Sequence, residues 1–270
     1  MDKLVILLIF VVFAGLEIAR TQFFSKPGQK RGDAAVEVIS VLTLLLVTQP
    51  LALVGGGFLA SMIWPTAENA LRSLPVLAGV GLFLVFDDLT QYWWHRLSHT
   101  VPWLYKLHRP HHNANYLSVR VVYRNNLFYY ALMPGLWLSG ALIYFGLGWV
   151  YAGYIVVKML VITGAHCDVR WDEPLYKISW LSPVMWVVER VISTPATHSA
   201  HHGQHAADPA THYKGNYGNL LFFWDVLFGT AKITRRYPTA FGVENLPETT
   251  AGEQLLWPLV RRQTNRVRDP

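Results

Sequence analysis

Eight of the eleven histidines in this chain fall into three short clusters whose spacings suit metal binding. The first cluster has the pattern H-x3-H, and the other two have H-x2-H-H. Neutral imidazole is a common ligand of iron, zinc and copper. Eight imidazoles exceed the need of one ion with an open position, so we expect two metal ions. The clusters consist of His95 and His99; His108, His111 and His112; and His198, His201 and His202.

Helical periodicity brings the members of a cluster close together. One residue advances about 100° along an α-helix, so spacings of four, three and four keep side chains on one face. Asp88, on the helix face that leads into the first cluster, could accept a hydrogen bond from a ligand histidine and fix its tautomer. Proline is tolerated in a first helical turn, so Pro110 predicts that a helix begins near the second cluster. The face that leads into the first cluster carries Asp88, Tyr92, His95 and His99.

Three further histidines lie outside the clusters. Thr194 and Pro195 are typical of a helix start, so the third cluster should lie on a helix. His205 continues the stripe of that helix, and we expect it beside the ligands or at the surface rather than as a ligand. His166 ends a long apolar run and is the expected ninth ligand. His212 lies in a loop, where a surface position or one next to the ligands is expected.

The composition indicates an integral membrane protein. Charged residues make up 15% of the 270 residues, whereas soluble domains have about 25%. The mean hydropathy is +0.25. The single cysteine, Cys167, excludes an intramolecular disulfide and a cysteine-rich metal site. The net charge of +6 is spread through loops and the tail, which favours contact with anionic lipid headgroups over nucleic-acid binding.

Five apolar runs predict membrane spans, each near the roughly 20 residues that a bilayer requires. Pro50 and the three consecutive glycines at 55–57 predict that the second span is kinked or tilted. The ammonium of Lys158, within the fifth span, is expected to snorkel toward the cytoplasm, with a functional role as the alternative. A cleaved signal peptide is the alternative for the first run, although no small-x-small cleavage site follows it. The runs are 4–19, 35–64, 75–94, 127–146 and 149–165.

The basic residues alternate between the loops. Segments 20–34, 95–125 and 166–270 contain four, five and eleven Lys or Arg residues, whereas the loops between them contain only Arg72. Because basic residues are enriched on the cytoplasmic side, all three histidine clusters are expected there, with the N-terminus outside.

With these motifs the chain resembles the fatty acid hydroxylase superfamily, which contains sterol desaturases, sterol methyl oxidases and lipid hydroxylases. The resemblance covers residues 82–233, somewhat more than half of the chain. It includes the three histidine clusters in order, together with the residues that precede and follow them. The other matching residues are Asp88, Tyr92, Thr194, Pro195, the Asn216-Tyr217-Gly218 segment, and Trp224, Asp225, Phe228, Gly229 and Thr230.

The chain also departs from the pattern of this superfamily. Members often carry His-x-Asn after the last span, where this chain has His166 and Asp168. Asp168 introduces a possible anion beside one metal. The segment between His202 and Asn216 is longer or richer in histidine than usual. No His-Pro-Gly-Gly segment of a fused cytochrome b5 domain is present, so electrons should come from a separate carrier.

The resemblance implies a membrane-bound, non-haem di-iron oxygenase that hydroxylates C–H bonds of a lipid with O2. Desaturation by a second hydrogen abstraction at the same site remains the alternative. The lipid could be a fatty acyl chain, a sterol-like lipid or another membrane lipid. The electron donor would be a cytochrome b5-like or ferredoxin-like carrier with its reductase, and zinc can replace iron during purification. The implied ligands and catalytic residues are the eight clustered histidines, with His166 as a further ligand; Asp88, Tyr92, Asp168, His205, Asn216 and Tyr217 are expected next to them.

The implied fold is all-α, with four to five transmembrane helices under a cytosolic helical cap that carries the metals. Residues 1–74 would form N-terminal transmembrane helices, and residues 75–270 the catalytic domain. Segment 180–192, with Trp180, Trp186 and Arg190, is a candidate interfacial helix that guards the access of lipid. A bacterial inner membrane is the expected location. A divalent-metal transporter would need ligands near the bilayer midplane, and a zinc hydrolase would need an H-E-x-x-H type motif; both alternatives are disfavoured.

Overall fold

The computed structural model describes residues 2–261, and its regular structure is helical. Within this range there is no β-strand, only two isolated bridges. The predicted all-α class is therefore confirmed for the described part of the chain. The helices are α1 (Asp2–Arg20), α2 (Asp33–Ile63), α3 (Val76–Phe83, Leu84–Leu89 and Thr90–Thr100 in succession), α4 (Pro102–His112), α5 (Leu127–Ala131), α6 (Pro134–Leu142, continued by Ile143–Leu147), α7 (Gly148–His166), α8 (Glu173–Lys177), α9 (Ser182–Val191), α10 (Pro195–His202), α11 (Phe223–Leu227) and α12 (Ala251–Leu256).

Helix α2 stays helical through the position where a kink was expected. A π-helical turn at Leu44–Thr48 directly precedes Pro50, and the backbone N–H of Gln49 donates to the carbonyl of Leu44. Such wide turns absorb irregularities in the hydrogen-bond ladder. Proline lacks the N–H that an ordinary helical turn would use. The proline is therefore accommodated within the helix.

The glycines of α2 allow a close approach to α6. A Cβ atom on Gly56 would lie 2.0 Å from the carbonyl oxygen of Trp137, and one on Gly140 would lie 2.2 Å from that of Leu53. Only glycine permits such backbone contact, which is common between helices in membranes. The glycines thus serve packing between α2 and α6.

Two helical segments are long and apolar enough to cross a membrane. They are Asp33–Ile63 and Leu127–His166, and side chains such as Leu46 and Val54 on the first are more than 70% exposed. Gly146 interrupts the second segment with a φ of 102°, a conformation that glycine adopts readily. This break lies where the fourth predicted run ends, at residue 146, just before the fifth run begins at residue 149.

Helix α4 begins earlier than the sequence predicted. Its first residue is Pro102, and Pro110 lies inside its last turn. The prediction of a start near Pro110 is therefore wrong. Pro102 already occupies the first position, where its fixed φ is favourable. Pro110 lacks the N–H that would donate to the carbonyl of Lys106, so the last turn of the helix loses one hydrogen bond.

Helix α7 connects the N-terminal part of the chain to the histidine clusters. It packs against α1 along one side and against α10 on another. Ala14 of α1 lies in one buried apolar cluster with Met159 and Ile162 of α7. This packing places the end of α7, at His166, beside the helix that carries the third cluster.

Candidate metal centre

Four helices contribute the histidines. The last turns of α3 carry the first cluster, α4 carries the second, α10 carries the third, and α7 ends at His166. The expected start of α10 is confirmed by a capping box, in which Thr194 and Thr197 each bind the backbone N–H of the other. This arrangement satisfies N–H groups at a buried helix start. It fixes the direction in which α10 presents its histidines.

Nine histidines form two groups in the structure. One nitrogen atom of each ring lies within 4.8 Å of those of the other rings in its group. Pairs at i and i+4 stay together, because side chains one helical turn apart point the same way. The neighbours His111 and His112 belong to different groups, as do His201 and His202. The first group contains His95, His99, His108, His112 and His201, and the second contains His111, His166, His198 and His202.

Hydrogen bonds fix the tautomers in the first group. The Nδ1 atom of His95 lies 2.7 Å from the carbonyl oxygen of Tyr217, and that of His201 lies 2.7 Å from the carbonyl oxygen of Gly215. A carbonyl only accepts, so each neutral ring carries its proton on Nδ1 and a lone pair on Nε2. The two Nε2 atoms are 3.0 Å apart. Two lone pairs that face each other in a buried site repel each other unless a cation binds both.

The second group repeats this arrangement. The Nδ1 atoms of His111 and His166 lie 3.0 and 2.8 Å from the carbonyl oxygens of Val121 and Ile162. Their Nε2 atoms are 3.3 Å apart and again lack a hydrogen between them. In the first group, the Nε2 atom of His99 is buried without a hydrogen-bond partner. Each group therefore contains two Nε2 lone pairs that face each other with no hydrogen between them.

Burial keeps these rings neutral. Desolvation lowers the pKa of His111, His112, His201 and His202 well below its usual value, and the neighbouring imidazoles lower it further. A neutral imidazole with a proton on Nδ1 is the form that binds a metal through Nε2. The residues present thus fit two metal ions, each surrounded by nitrogen atoms.

Asp225 holds the loop that orients His95. Its carboxylate accepts hydrogen bonds from the backbone N–H groups of Tyr217 at 2.8 Å and Gly218 at 2.6 Å, and from the hydroxyl of Thr230 at 2.6 Å. The carbonyl of Tyr217 is thereby fixed as the acceptor for His95. Tyr217 thus lies next to a predicted ligand as expected, whereas the role of Asp225 was missed although the residue belongs to a recognised motif.

Two asparagines support the other helices. The side-chain N–H groups of Asn216 donate to the carbonyls of Thr197 and Lys232 at 2.8 and 2.9 Å, and its oxygen accepts from the backbone N–H of Lys232 at 2.7 Å. Asn216 therefore ties α10 to the chain that follows the site. Asn125 accepts from Nδ1 of His108 at 2.9 Å. No motif in the sequence pointed to Asn125, which lies far from any cluster pattern.

Asp88 has partners other than the expected ligand histidine. Its Oδ2 atom accepts from the backbone N–H of Leu221 at 3.1 Å and from the indole N–H of Trp224 at 2.8 Å. Asp88 therefore anchors α3 to the loop that covers it, and its described hydrogen bonds involve no imidazole. Tyr92 lies closer to the site, with its hydroxyl 2.9 Å from that of Thr230.

Asp168 belongs to neither group of histidines. Its carboxylate binds the ammonium of Lys26 at 2.6 Å, and its backbone N–H donates to Glu17 at 2.9 Å. These partners tie Asp168 to the N-terminal part of the chain, and its place beside one metal stays a prediction.

The remaining two histidines lie outside the groups. His205 is exposed, and its Nδ1 atom lies 3.1 Å from the carboxylate of Glu244. His212 is partly buried, with Nε2 3.1 Å from the carbonyl oxygen of Thr230. Neither residue belongs to a histidine group in the described part of the chain.

Lys158 is buried and does not reach toward the cytoplasm. Its ammonium forms an ion pair with Asp87, which also accepts a hydrogen bond from the hydroxyl of Tyr154 at 2.7 Å. The snorkelling prediction is therefore wrong. A carboxylate on the neighbouring helix compensates the buried charge, so the ammonium need not seek water.

A mainly apolar cavity extends from the apolar helices α2 and α7 to the histidines. Its walls include Leu44 and Leu45 of α2 and Met159 of α7, together with two of the ring systems, His95 and His111. An apolar cavity beside a metal centre suits a hydrophobic substrate. The other lining residues include Ile6, Gln49, Gln91, His108, Val122, Tyr123, Asn125, Tyr129, Tyr130, Met133, Leu136, Ile155, Lys158, Ile162, His166 and Asn219.

Comparison with known proteins identifies relatives of this chain. Human alkylglycerol monooxygenase is 28% identical over 153 residues, which are 53% of this chain and 28% of that protein. The ornithine lipid hydroxylase OlsE of Rhizobium tropici is 31% identical over 173 residues, which are 62% of this chain and 43% of that protein. The matched region thus spans less than half of each relative. No solved structure matches the chain significantly.

The family model for fatty acid hydroxylase matches residues 80–230. This range is more than half of the chain and contains all nine histidines of the two groups. The resemblance inferred from the sequence is therefore confirmed. The chain belongs to the fatty acid hydroxylase family.

Proposed function

We propose that this protein is a membrane-bound di-iron oxygenase that hydroxylates a C–H bond of a lipid. The observation that carries the proposal is the pair of facing, unprotonated Nε2 atoms in each histidine group. The five histidines of the first group and the four of the second would each hold one iron. The family and the names of the two relatives, an alkylglycerol monooxygenase and an ornithine lipid hydroxylase, support a lipid as the substrate.

The donor set favours iron over a structural zinc ion. Structural zinc is almost always bound by four ligands in a tetrahedron, whereas the first group offers five nitrogen atoms. Imidazole suits iron, and thiolate ligands that would favour other metals are absent from both groups. Zinc can nevertheless occupy the site in purified protein.

The overall reaction consumes one O2, two electrons and two protons, and yields one alcohol and one water for each C–H bond oxidised. Two bound irons would supply the activation of O2. The chain itself contributes the rest of the site. The carbonyls of Tyr217, Gly215, Val121 and Ile162 hold the imidazoles in one tautomer, and the apolar cavity positions the lipid chain and limits water.

The membrane arrangement is part of the proposal. Five spans place the three clusters at the cytoplasmic ends of the helices, as the distribution of basic residues suggests. A separate carrier, either cytochrome b5-like or ferredoxin-like, would deliver the electrons there from its reductase. Helix α9, together with Trp180 just before it, would lie along the membrane surface, since the side chains of Trp180, Val184, Trp186 and Val187 are all more than half exposed.

Mass spectrometry of total lipids tests this proposal. Cells that also express a ferredoxin and its reductase would produce wild type, His111→Ala or His205→Ala. We expect a lipid that gains one oxygen with the wild type and with His205→Ala, and that is absent with His111→Ala. Loss of two hydrogens in place of the oxygen would identify a desaturase. Identical lipid profiles from all three strains, with reduced carrier and folded protein present, would contradict the oxygenase function.

A further inference from the structure

We infer that the cavity contains a polar subsite that binds an uncharged polar group of the substrate lipid, namely a hydroxyl. The polar subsite consists of Asp87, Gln91 and Lys158. This inference rests on the proposed function, because it assumes that the cavity receives the lipid. It adds a substrate class: lipids with a neutral polar group, as opposed to free fatty acids.

The three residues lie close together on two helices. Asp87 and Gln91 are one turn apart on α3, so their side chains point to the same side. Lys158 on α7 forms an ion pair with Asp87. Gln91 and Lys158 both line the cavity that leads to His95 and His166. The polar subsite is therefore part of the same wall as the histidines.

The polar subsite has unused hydrogen-bonding capacity. An ammonium has three N–H donors, and within the described chain the Lys158 ammonium donates to Asp87. The side-chain oxygen of Gln91 is buried without a partner. Buried polar groups are normally paired, and an unpaired one is costly. A hydroxyl in the cavity would accept from Lys158 and donate to Gln91, and so would satisfy both.

Charge decides between neutral and anionic lipids. Asp87 already compensates the charge of Lys158, and the two side chains are 2% and 6% exposed. A free fatty acid would bring a second carboxylate to a pair that is already neutral. An uncompensated charge in such a buried place is strongly unfavourable. An uncharged hydroxyl carries no such penalty.

The position of the polar subsite limits which carbon is oxidised. Gln91 precedes His95 by four residues and Lys158 precedes His166 by eight, which corresponds to helix rises of about 6 Å and about 12 Å. A lipid held at the polar subsite would therefore present a carbon near its polar end to the metals. The far end of its chain would extend elsewhere in the cavity.

Photolabelling of the purified full-length protein in lipid nanodiscs tests the polar subsite without turnover. Three diazirine probes with the same chain are compared: a monoacylglycerol, the free fatty acid and an alkane. In the wild type we expect the monoacylglycerol to label cavity residues more strongly than the fatty acid does. Gln91→Leu should lower monoacylglycerol labelling about fivefold to tenfold, the worth of one buried hydrogen bond. Labelling by the alkane should stay unchanged.

Thr90→Val is the matched control, because the hydroxyl of Thr90 bonds only to backbone carbonyls of its own helix. It should leave all labelling unchanged. The double variant Asp87→Asn, Lys158→Met removes the charges together and should abolish the preference for monoacylglycerol. If Gln91→Leu also lowers labelling by the alkane because the cavity collapses, the double variant becomes the test of the polar subsite.

Equal labelling of the wild type by the fatty acid and the monoacylglycerol would overturn the polar subsite, and so would unchanged monoacylglycerol labelling in both Gln91→Leu and the double variant. In those cases the cavity would still be a lipid site. Failure of all three probes to label the wild-type cavity would instead contradict the proposed function itself, and the polar subsite with it.

Discussion

The Nε2 atoms of His95 and His201 face each other at 3.0 Å, although the Nδ1 atom of each ring lies 2.7 Å from a backbone carbonyl oxygen. The two residues are on different helices, α3 and α10. Neither ring can donate to the other while both Nδ1 atoms carry the single proton of a neutral imidazole. The pair is thus built for a shared cation, and this relationship underlies the following predictions.

Asp225→Asn should weaken metal binding in the first histidine group. The amide has one acceptor oxygen and places an N–H₂ group against the backbone donors of Tyr217 or Gly218. We expect a loss of metal affinity of about 10-fold to 100-fold, typical of residues that orient a ligand histidine. Iron(II) titration followed by metal analysis measures it.

Asp208→Asn is the control for this prediction. Asp208 also accepts from backbone N–H groups, those of Ala210 and Thr239, but its hydrogen bonds do not reach a histidine of either group. The Asp208→Asn variant should bind metal with the affinity of the wild type. If Asp225→Asn also has wild-type affinity, the role assigned to Asp225 is contradicted.

Lys158→Met should destabilise the protein strongly. It leaves the carboxylate of Asp87 buried and without its cationic partner. Removal of one member of a buried ion pair typically costs about 3–5 kcal/mol. The double variant Asp87→Asn, Lys158→Met should recover most of this loss. Unfolding in mixed micelles with increasing SDS measures the difference, and an equal loss in both variants would show that the pairing is not responsible.

Helix α9 should contact lipid through Val187. A spin label at Val187→Cys is expected to be more accessible to O2 than to a water-soluble nickel complex. A label at Lys177→Cys on α8, a side chain 71% exposed, should have the reverse preference. Replacement of the buried Cys167 by alanine makes each label unique. Equal accessibility to the nickel complex at both sites would exclude an interfacial α9.

The sequence was sufficient to identify the nine histidines of the candidate site but not their division into two groups. Periodicity keeps His95 with His99, as it does His198 with His202. Periodicity cannot predict that His201 belongs to the same group as His95 and His99, because this depends on how α10 packs against α3. The helix arrangement is set by contacts between residues far apart in the chain.

The partners of Asp88 and Lys158 could not be predicted for one physical reason. Asp88 was proposed as a possible acceptor for a ligand histidine, and Lys158 was expected to reach the cytoplasm, because each was interpreted from its own helix alone. Their partners are Trp224 and Asp87, on other elements. The hydrogen bonds of Asp225 could not be predicted for the same reason, because they depend on the turn that the folded loop forms around its carboxylate.

The iron content of the purified protein tests the central claim most directly. After anaerobic loading with iron(II) and removal of excess metal, the wild type and His205→Ala should each retain two irons per chain. Two double variants, His95→Ala with His201→Ala and His111→Ala with His166→Ala, remove the facing Nε2 pair of the first and of the second group respectively, and each should retain about one iron. A folded wild type that binds one iron or none, or a His95→Ala, His201→Ala variant that keeps two, would contradict a centre built from two histidine groups.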